Sequence, residues 1–291
     1  MKKIVFCIDE NYIKPLAVAL QSFLQHHIAR DYEISVLYSN IESSEKYKFI
    51  NFFEKSSLKI EFIYIDYDFS WIPVGYHFNS VIFFRLLIPS IFKNENKILY
   101  LDSDILFLSN IDEVFDFDLG SNILAAIPRD KIHGIPEYLQ GYVKKYFASG
   151  FLLFNVNEFI KQDCFNKALF YLRTRHYEMP DQDALNYAVT NSFDVPYRYG
   201  METSFLENEH PGKELKYELE NIKIIQFSGS SKPWHIGNNH PYKYLYWKYL
   251  HMTIYKYSLP TDLTLLNVLK WMIPKFIKRK LKLFFVRRAP S

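Results

Sequence analysis

Glycine is scarce in this chain, with 9 in 291 residues against 26 phenylalanines and 23 tyrosines, and no stretch reads as a low-complexity linker or an internal repeat. Cysteine is scarcer. Cys7 and Cys164 are the only two, and no Cys-x-x-Cys pair exists; one disulfide is allowed by count, but two reduced, buried thiols are the expectation. No run approaches the roughly 20 apolar residues of a bilayer span. The opening "MKKIVFCIDE" has the flanks of a secretion signal, but Asp9 and Glu10 stop its apolar run after about five residues, short of the 7–15 such a signal needs. A cytoplasmic protein is expected.

Acidic residues are missing from one region. After Asp262 there are none, while Lys270, Lys275, Lys278, Arg279, Lys280, Lys282, Arg287 and Arg288 supply eight positive charges. With these eight of the 35 basic residues set aside, 27 remain against 32 acidic ones, so the overall +3 hides a body of net −5. The 49% hydrophobic and 23% charged content is that of an ordinary globular protein, with ample material for a core. A break near residue 258, at "SLPTDLT", divides a domain over 1–258 from a basic tail over 259–291.

The body alternates. Ile4 to Ile8 reads as a strand, ending at "DENY". "KPLAVALQSFLQHH" sets Leu16, Ala19, Leu20 and Phe23 at helical spacing behind Pro15. "YEISVLYS" reads as a strand, "SEKYKFINFFEKS" as a helix opened by a serine cap, and "LKIEFIYID" as a strand. Such β-α-β-α-β order predicts a parallel sheet with helices on both faces, binding ligands beyond the carboxyl ends of its strands. A helix over 80–92 leads into "KILYLDSDILFL", read as one strand. More strands are expected at "NILAAIP", "GFLLFNV" and "IKIIQFS", and helices over 157–176 and "DQDALNYAVT".

Asp102 and Asp104 interrupt that apolar strand one residue apart, so an extended chain would aim both carboxylates to one side. Two readings are open. A divalent cation with oxygen ligands, Mn²⁺ or Mg²⁺, would offset their repulsion. Otherwise the strand ends at Leu101 and the pair forms a solvated turn, with Asp104 beside a lysine.

Four segments together resemble glycosyltransferase family 8, which includes bacterial lipopolysaccharide and lipooligosaccharide glucosyl- and galactosyltransferases and, distantly, glycogenin. These are Arg85 through the two aspartates, "SGFLLFNVN" at 149–157, "DQDALN" at 181–186 and "QFSGSSKPWH" at 226–235, within a resemblance running from residue 3 to about 250. It implies a Rossmann-like mixed sheet of the GT-A type and a UDP-glucose or UDP-galactose donor. It further implies Mn²⁺ or Mg²⁺ and hexose transfer with retention of anomeric configuration.

Residue by residue, Asp9 and Asn11 would bind uracil and ribose. Arg85, 17 residues before Asp102, would contact the nucleotide-sugar with Ser103, and Asp102 and Asp104 would hold the metal. Gly150 would admit the donor sugar close to the backbone. Asp181 and Gln182 match residues at the reacting sugar. Gly229 would open a tight turn, Lys232 would offer a point charge to the diphosphate, and Trp234 would anchor the loop. His77 matches a histidine facing the acceptor. Two positions depart from the pattern. Ala148 stands where an asparagine is usual, with Ser149 next to it, and Gln226 replaces the histidine that is the third metal ligand.

The tail "LLNVLKWMIPKFIKRKLKLFFVRR" mixes Leu, Trp, Ile and Phe with Lys and Arg as an interfacial helix does, with Pro274 breaking or kinking it. Each basic residue near an anionic leaflet adds about 1 kcal/mol. The expectation is therefore peripheral attachment to the inner face of the cell membrane, where a lipid-linked saccharide acceptor would lie. Nothing else in the chain reads nucleic acid. A haloacid-dehalogenase-type phosphohydrolase would also place Asp-x-Asp after an apolar strand, but in its first strand. A nucleotide-sugar-binding homologue with impaired catalysis is the other alternative.

Overall fold

The computed structural model describes residues 1–73, 79–206 and 213–272. The first half follows the expected alternation: β1 (Lys2–Ile8), α1 (Ile13–Phe23), β2 (Tyr32–Tyr38), α2 (Ser43–Glu54) and β3 (Lys59–Tyr64). A 3-10 helix, Ser80–Leu86, and a single turn, α3 (Ile88–Ile91), lead to β4 (Lys97–Leu101) and β5 (Ile105–Phe107). Next come β6 (Leu124–Pro128), α4 (Asp130–His133), β7 (Phe147–Asn155), α5 (Val156–Lys161), α6 (Cys164–Thr174) and α7 (Pro180–Ala188). The remainder is β8 (Ser192–Asp194), β9 (Met201–Glu202), α8 (Thr203–Leu206), α9 (Lys213–Glu220), β10 (Ile224–Gln226), α10 (Lys243–Leu250) and α11 (Leu265–Met272).

Seven strands form one mixed sheet in the order β3-β2-β1-β4-β7-β6-β8, parallel from β3 to β4 and antiparallel where β7 enters beside β4 and β6. Strand periodicity divides its side chains between two cores. Ile4, Phe6, Ile8, Leu99 and Leu101 pack on one face with α1 and α2, while Val5, Leu37, Ile98 and Tyr100 pack on the other with α6 and α7. A three-stranded sheet, β5-β10-β9, lies against α1, where the Ser22 hydroxyl accepts the Phe107 N–H at 3.0 Å.

Several boundaries differ from the sequence reading. "KILYLDSDILFL" is two strands in two sheets, because the chain bends at 102–104 and carries both carboxylates to the carboxyl edge of the main sheet. A continuous strand would have kept them within the apolar layers that sandwich β4. The helix expected over 80–92 is mostly a 3-10 turn capped by Asn79, whose side chain accepts the Val81 N–H. The helix over 157–176 is broken by Asp163, which sits in the left-handed region at φ +54 between α5 and α6. At the start of α2 the N-cap is Glu42 and no side chain caps it, so the serine cap does not form. Both cysteines are free, Cys164 buried and Cys7 half-buried.

Among the described residues no helix is long and apolar enough to cross a membrane. The expected tail overlaps α11, and its residues 273–291 lie outside the described residues, as does His77.

Candidate active site

The edge of the main sheet assembles the site. Register places Leu101 opposite Phe151, and the Asp102 N–H donates to the Gly150 carbonyl at 2.9 Å, so the end of β4 and the start of β7 share one spot. In the small sheet Gln226 pairs with Ile105 on one side and Glu202 on the other. Its amide Nε2 donates to Asp102 Oδ2 at 2.7 Å. Gly150 makes this convergence possible. A Cβ there would lie 2.2 Å from Gln226 Nε2 and 2.8 Å from Asp102 Oδ2.

Arg85 is the hub. Only 6% exposed, it reaches three segments that are distant in sequence. Its Nη1 donates to the Ser149 carbonyl and hydroxyl, both at 2.9 Å, and lies 2.9 Å from Asp181 Oδ2. Its Nη2 donates to Asp102 Oδ1 at 3.1 Å, and its plane lies over the Tyr100 ring at 4.7 Å. The Tyr100 hydroxyl, kept protonated by burial, donates to the same Asp102 oxygen at 2.6 Å. A guanidinium supplies this fan of donors and an ammonium does not.

Asp181, 4% exposed, also accepts from the Ser149 hydroxyl at 2.8 Å. Burial pushes its carboxyl up, against the opposing pull of Arg85. The usual asparagine position, at Ala148, carries no polar group, and the hydroxyl one residue later is committed to Arg85 and Asp181.

On the other side, Lys232 forms a close ion pair with Asp104 and donates to the Phe227 carbonyl at 2.7 Å. Burial lowers the Lys232 ammonium, but Asp104, Tyr12 and Asp102 together outweigh it and the net direction is up. Burial likewise raises the Asp104 carboxyl, with Lys232 pulling the other way. Of the two open readings of the aspartates, the turn after Leu101 and the lysine beside Asp104 are both present. That turn is buried, however, with Ser103 and Asp104 nearly inaccessible. Gly229 needs its left-handed φ of +83 for the turn that returns Lys232 to the site. Trp234 fixes this loop, edge-on to Tyr12 at 5.8 Å and tilted on Tyr246 at 5.4 Å. Burial raises the Tyr12 hydroxyl to about 12.

Asp9, at the end of β1, is less open than expected. Its Oδ1 accepts the Asn11 N–H at 2.9 Å and its Oδ2 accepts Asn79 Nδ2 at 2.7 Å and, more loosely, the exposed Asn11 Nδ2 at 3.4 Å. Two surface cavities, of about 340 and 480 Å³, lie elsewhere: one lined by Glu113, Arg198 and Tyr217, the other by Glu45, Lys48 and Tyr257.

Three carboxylates, Asp102, Asp104 and Asp181, thus face two cations, Arg85 and Lys232. One negative charge is left over, and the Arg129–Glu202 pair at 3.4 Å adds none. Two carboxylates and a carboxamide suit a hard, oxygen-seeking ion, while no imidazole or thiolate joins them. Among the described residues no three His, Cys, Asp or Glu side chains cluster as a metal site. The donor set therefore fits such an ion only with the Gln226 amide turned to offer its carbonyl oxygen in place of the Nε2 that meets Asp102, and with Lys232 released from Asp104.

Sequence reasoning missed Tyr100 and Glu202. Tyr100 had a signal, since it lies two residues before Asp102 on an extended run. Glu202 had none.

Residues 3–237 match the sequence model of "Glycosyl transferase family 8". The chain is 26% identical over 266 residues to General stress protein A of Bacillus subtilis, covering 86% of this chain and 93% of that protein. It is 23% identical to the lipopolysaccharide 1,3-galactosyltransferase of Salmonella typhimurium, covering 82% and 74%. Of two longer glycosyltransferases, GlyB of Streptococcus pneumoniae and the bifunctional WbbM, it spans 61% and 50%. The galactosyltransferase LgtC, solved with donor and acceptor sugar analogs, superposes with a TM-score of 0.77 at 22% identity, over 89% of this chain and 98% of that one. At that identity the likeness shows the fold, the GT-A fold. With a family match over most of its length and this fold beneath it, the chain belongs to glycosyltransferase family 8.

Proposed function

We propose that this chain moves glucose or galactose from a UDP-sugar to a saccharide acceptor, with retention and with a divalent cation. The observation that carries the reading is Arg85, which binds Asp102, Ser149 and Asp181 at once. Three motif segments far apart in sequence converge on one buried guanidinium, which a chance set of short motifs would not do.

A Mn²⁺ or Mg²⁺ ion would be held by Asp102, Asp104 and Gln226, and when bound it supplies charge neutralisation to the leaving diphosphate. Lys232, on a loop fixed by Trp234, adds a second positive charge beside the leaving group. Asp9 and Asn11 would hold the nucleoside, with Gly229 shaping the loop over it. Ser103, Ser149 and Gly150 would border the donor sugar, and His77 would face the acceptor. Arg85 orients Asp181, whose carboxylate would hold sugar hydroxyls or stabilise the cationic anomeric carbon.

Gln182, an amide, is no nucleophile, so the covalent route of retaining hydrolases is not favoured. Instead the bond from the anomeric carbon to the phosphate oxygen breaks as the acceptor oxygen attacks from the same face. The acceptor proton passes to the departing diphosphate.

Residues 1–258 would form the transferase domain and 259–291 a tail that holds it on an anionic membrane surface. Exposed Tyr257, Leu259, Leu265, Leu266 and Leu269, leading into the basic sequence, support this. A lipid-linked saccharide on the cytoplasmic face is the acceptor this placement suits. The test is UDP release from UDP-glucose and UDP-galactose, each with Mn²⁺, Mg²⁺ or EDTA. Cation-dependent release from one sugar is expected.

A further inference from the structure

Asp183 is the most deeply buried carboxylate among the described residues, at 0% exposure, and the proposed chemistry does not use it. Its Oδ2 accepts the main-chain N–H groups of Glu178 and Met179, each at 3.0 Å, and the Tyr138 hydroxyl at 3.0 Å. Its Oδ1 accepts the Tyr146 hydroxyl at 2.6 Å. Two of those donors are main-chain N–H groups, which only donate, and a carboxylate has no hydrogen to give in return.

The direction of the next bond follows. Tyr146 has one hydroxyl hydrogen, and Asp183 takes it. The same oxygen must therefore accept from Gln182, whose Nε2 lies 2.8 Å away. That leaves Gln182 Oε1 on the opposite side, where it accepts the Ser149 N–H at 3.2 Å, next to Gly150. Flipping the amide would set Nε2 against an N–H and Oε1 against an oxygen with no hydrogen left. Proton accounting thus fixes a side chain whose two ends look alike in shape. Asn186 steadies the frame, accepting the Phe147 N–H at 2.8 Å and donating to the Phe147 and Gln182 carbonyls at 2.9 Å.

We infer that Tyr146 and Asp183 are positioning residues that hold the Gln182 carbonyl oxygen toward Ser149 and Gly150. This rests on the reading that Gln182 borders the reacting sugar. The charge of Asp183 sets the direction of the relay. In Asp183→Asn the new side chain keeps its oxygen on the two N–H groups and turns its NH₂ to Tyr146. The tyrosine hydrogen then moves to the Gln182 side and the amide turns over.

The experiment compares wild type, Tyr146→Phe, Asp183→Asn, Gln182→Ala and the Tyr146→Phe/Gln182→Ala double variant. For each, donor hydrolysis kcat and KM, UDP affinity and thermal midpoint are measured. Hydrogen exchange of the Gln182 side-chain amide is followed by NMR in wild type and Tyr146→Phe. Tyr146→Phe should lower kcat by up to about 100-fold, leave KM and UDP affinity within about twofold, and cost nothing further in the Gln182→Ala background. Its Gln182 NH₂ should exchange faster than in wild type.

A Tyr146→Phe enzyme with wild-type kcat, or with an equal loss in both backgrounds, overturns the relay. So does equal amide exchange in the two proteins, which can be read even if Asp183→Asn fails to fold or wild type shows no turnover. Absence of wild-type turnover would count against the transferase reading alone.

Discussion

Gly150→Ala separates the site from the scaffold more cleanly than any other single substitution. Gly150 has no left-handed φ, so the backbone accepts alanine. The difficulty is the methyl, 2.2 Å from Gln226 Nε2 and 2.8 Å from Asp102 Oδ2 where ordinary contact begins at 3.4 Å, so the amide must retreat by about 1.2 Å and the carboxylate by about 0.6 Å. Gln226 ends in a rotatable amide and can swing away, at the loss of its bond to Asp102. A charge-assisted hydrogen bond of this kind is worth about 1.5–3 kcal/mol, partly offset by the roughly 0.5–1 kcal/mol gained on replacing a strand glycine. The net, about 0.5–2.5 kcal/mol, lowers the thermal midpoint by about 1–10 °C. Activity should suffer far more, since about 1 Å of misplacement costs up to 100-fold in rate. Differential scanning fluorimetry and UDP release on one preparation decide it. Wild-type turnover would refute the placement of Gln226 and Asp102 at the reacting centre. Outright unfolding would refute the claim that a movable side chain absorbs the methyl.

Further outcomes follow from the same geometry. Gln226→His should tighten Mn²⁺ binding about 10-fold, because a neutral imidazole is a stronger electron-pair donor than a carboxamide oxygen already engaged in an amide; equal Mn²⁺ titrations would mean position 226 is no ligand. Lys232→Met should weaken UDP binding by about 10- to 100-fold, the loss of one charged contact, while Mn²⁺ alone binds more tightly at the freed Asp104. Calorimetry showing unchanged UDP affinity would remove Lys232 from the diphosphate. Burial pushes His240 down to about 4 from 6.5, and also lowers His27, whose Nε2 accepts the Ile111 N–H. Both groups favour the neutral ring in the folded state, so their contribution is full above pH 6.5 and is lost as pH falls below it, for His240 down to about 4. Urea unfolding at pH 7.5 and 5 should show this decline, and His240→Phe should flatten it. An unaltered slope in that variant would clear His240.

The first five elements were legible because helix and strand periods alternate cleanly between Ile4 and Asp66. The strand order was not, since nothing local says that β7 enters antiparallel between β4 and β6. Periodicity also failed where tertiary contacts override it. "ILYLDSDILFL" is apolar on both sides of Asp102-Ser103-Asp104, yet two carboxylates cannot stay between the layers that cover β4, so the chain turns out at Leu101. Residues 157–176 look helical, but Asp163 takes a left-handed conformation that no spacing rule announces. At the site, Arg85, Asp102, Gly150, Asp181 and Gln226 were named from motifs, and the structure brings them together. Apart from Tyr100, what was missed acts through partners distant in sequence. Tyr146 is 36 residues from Gln182, Asp183 was overshadowed by its two neighbours, and Glu202 comes in only through its pairing with Gln226.

The most direct test of the central claim is UDP release by the full chain with UDP-glucose and UDP-galactose in turn, each with Mn²⁺, Mg²⁺ or EDTA, beside an Asp102→Asn/Asp104→Asn control. Release from one of the two sugars that needs the cation and vanishes in the control is the predicted result. Neither release nor UDP binding under any condition would contradict it, and would mean that the chain keeps the fold of family 8 without its chemistry.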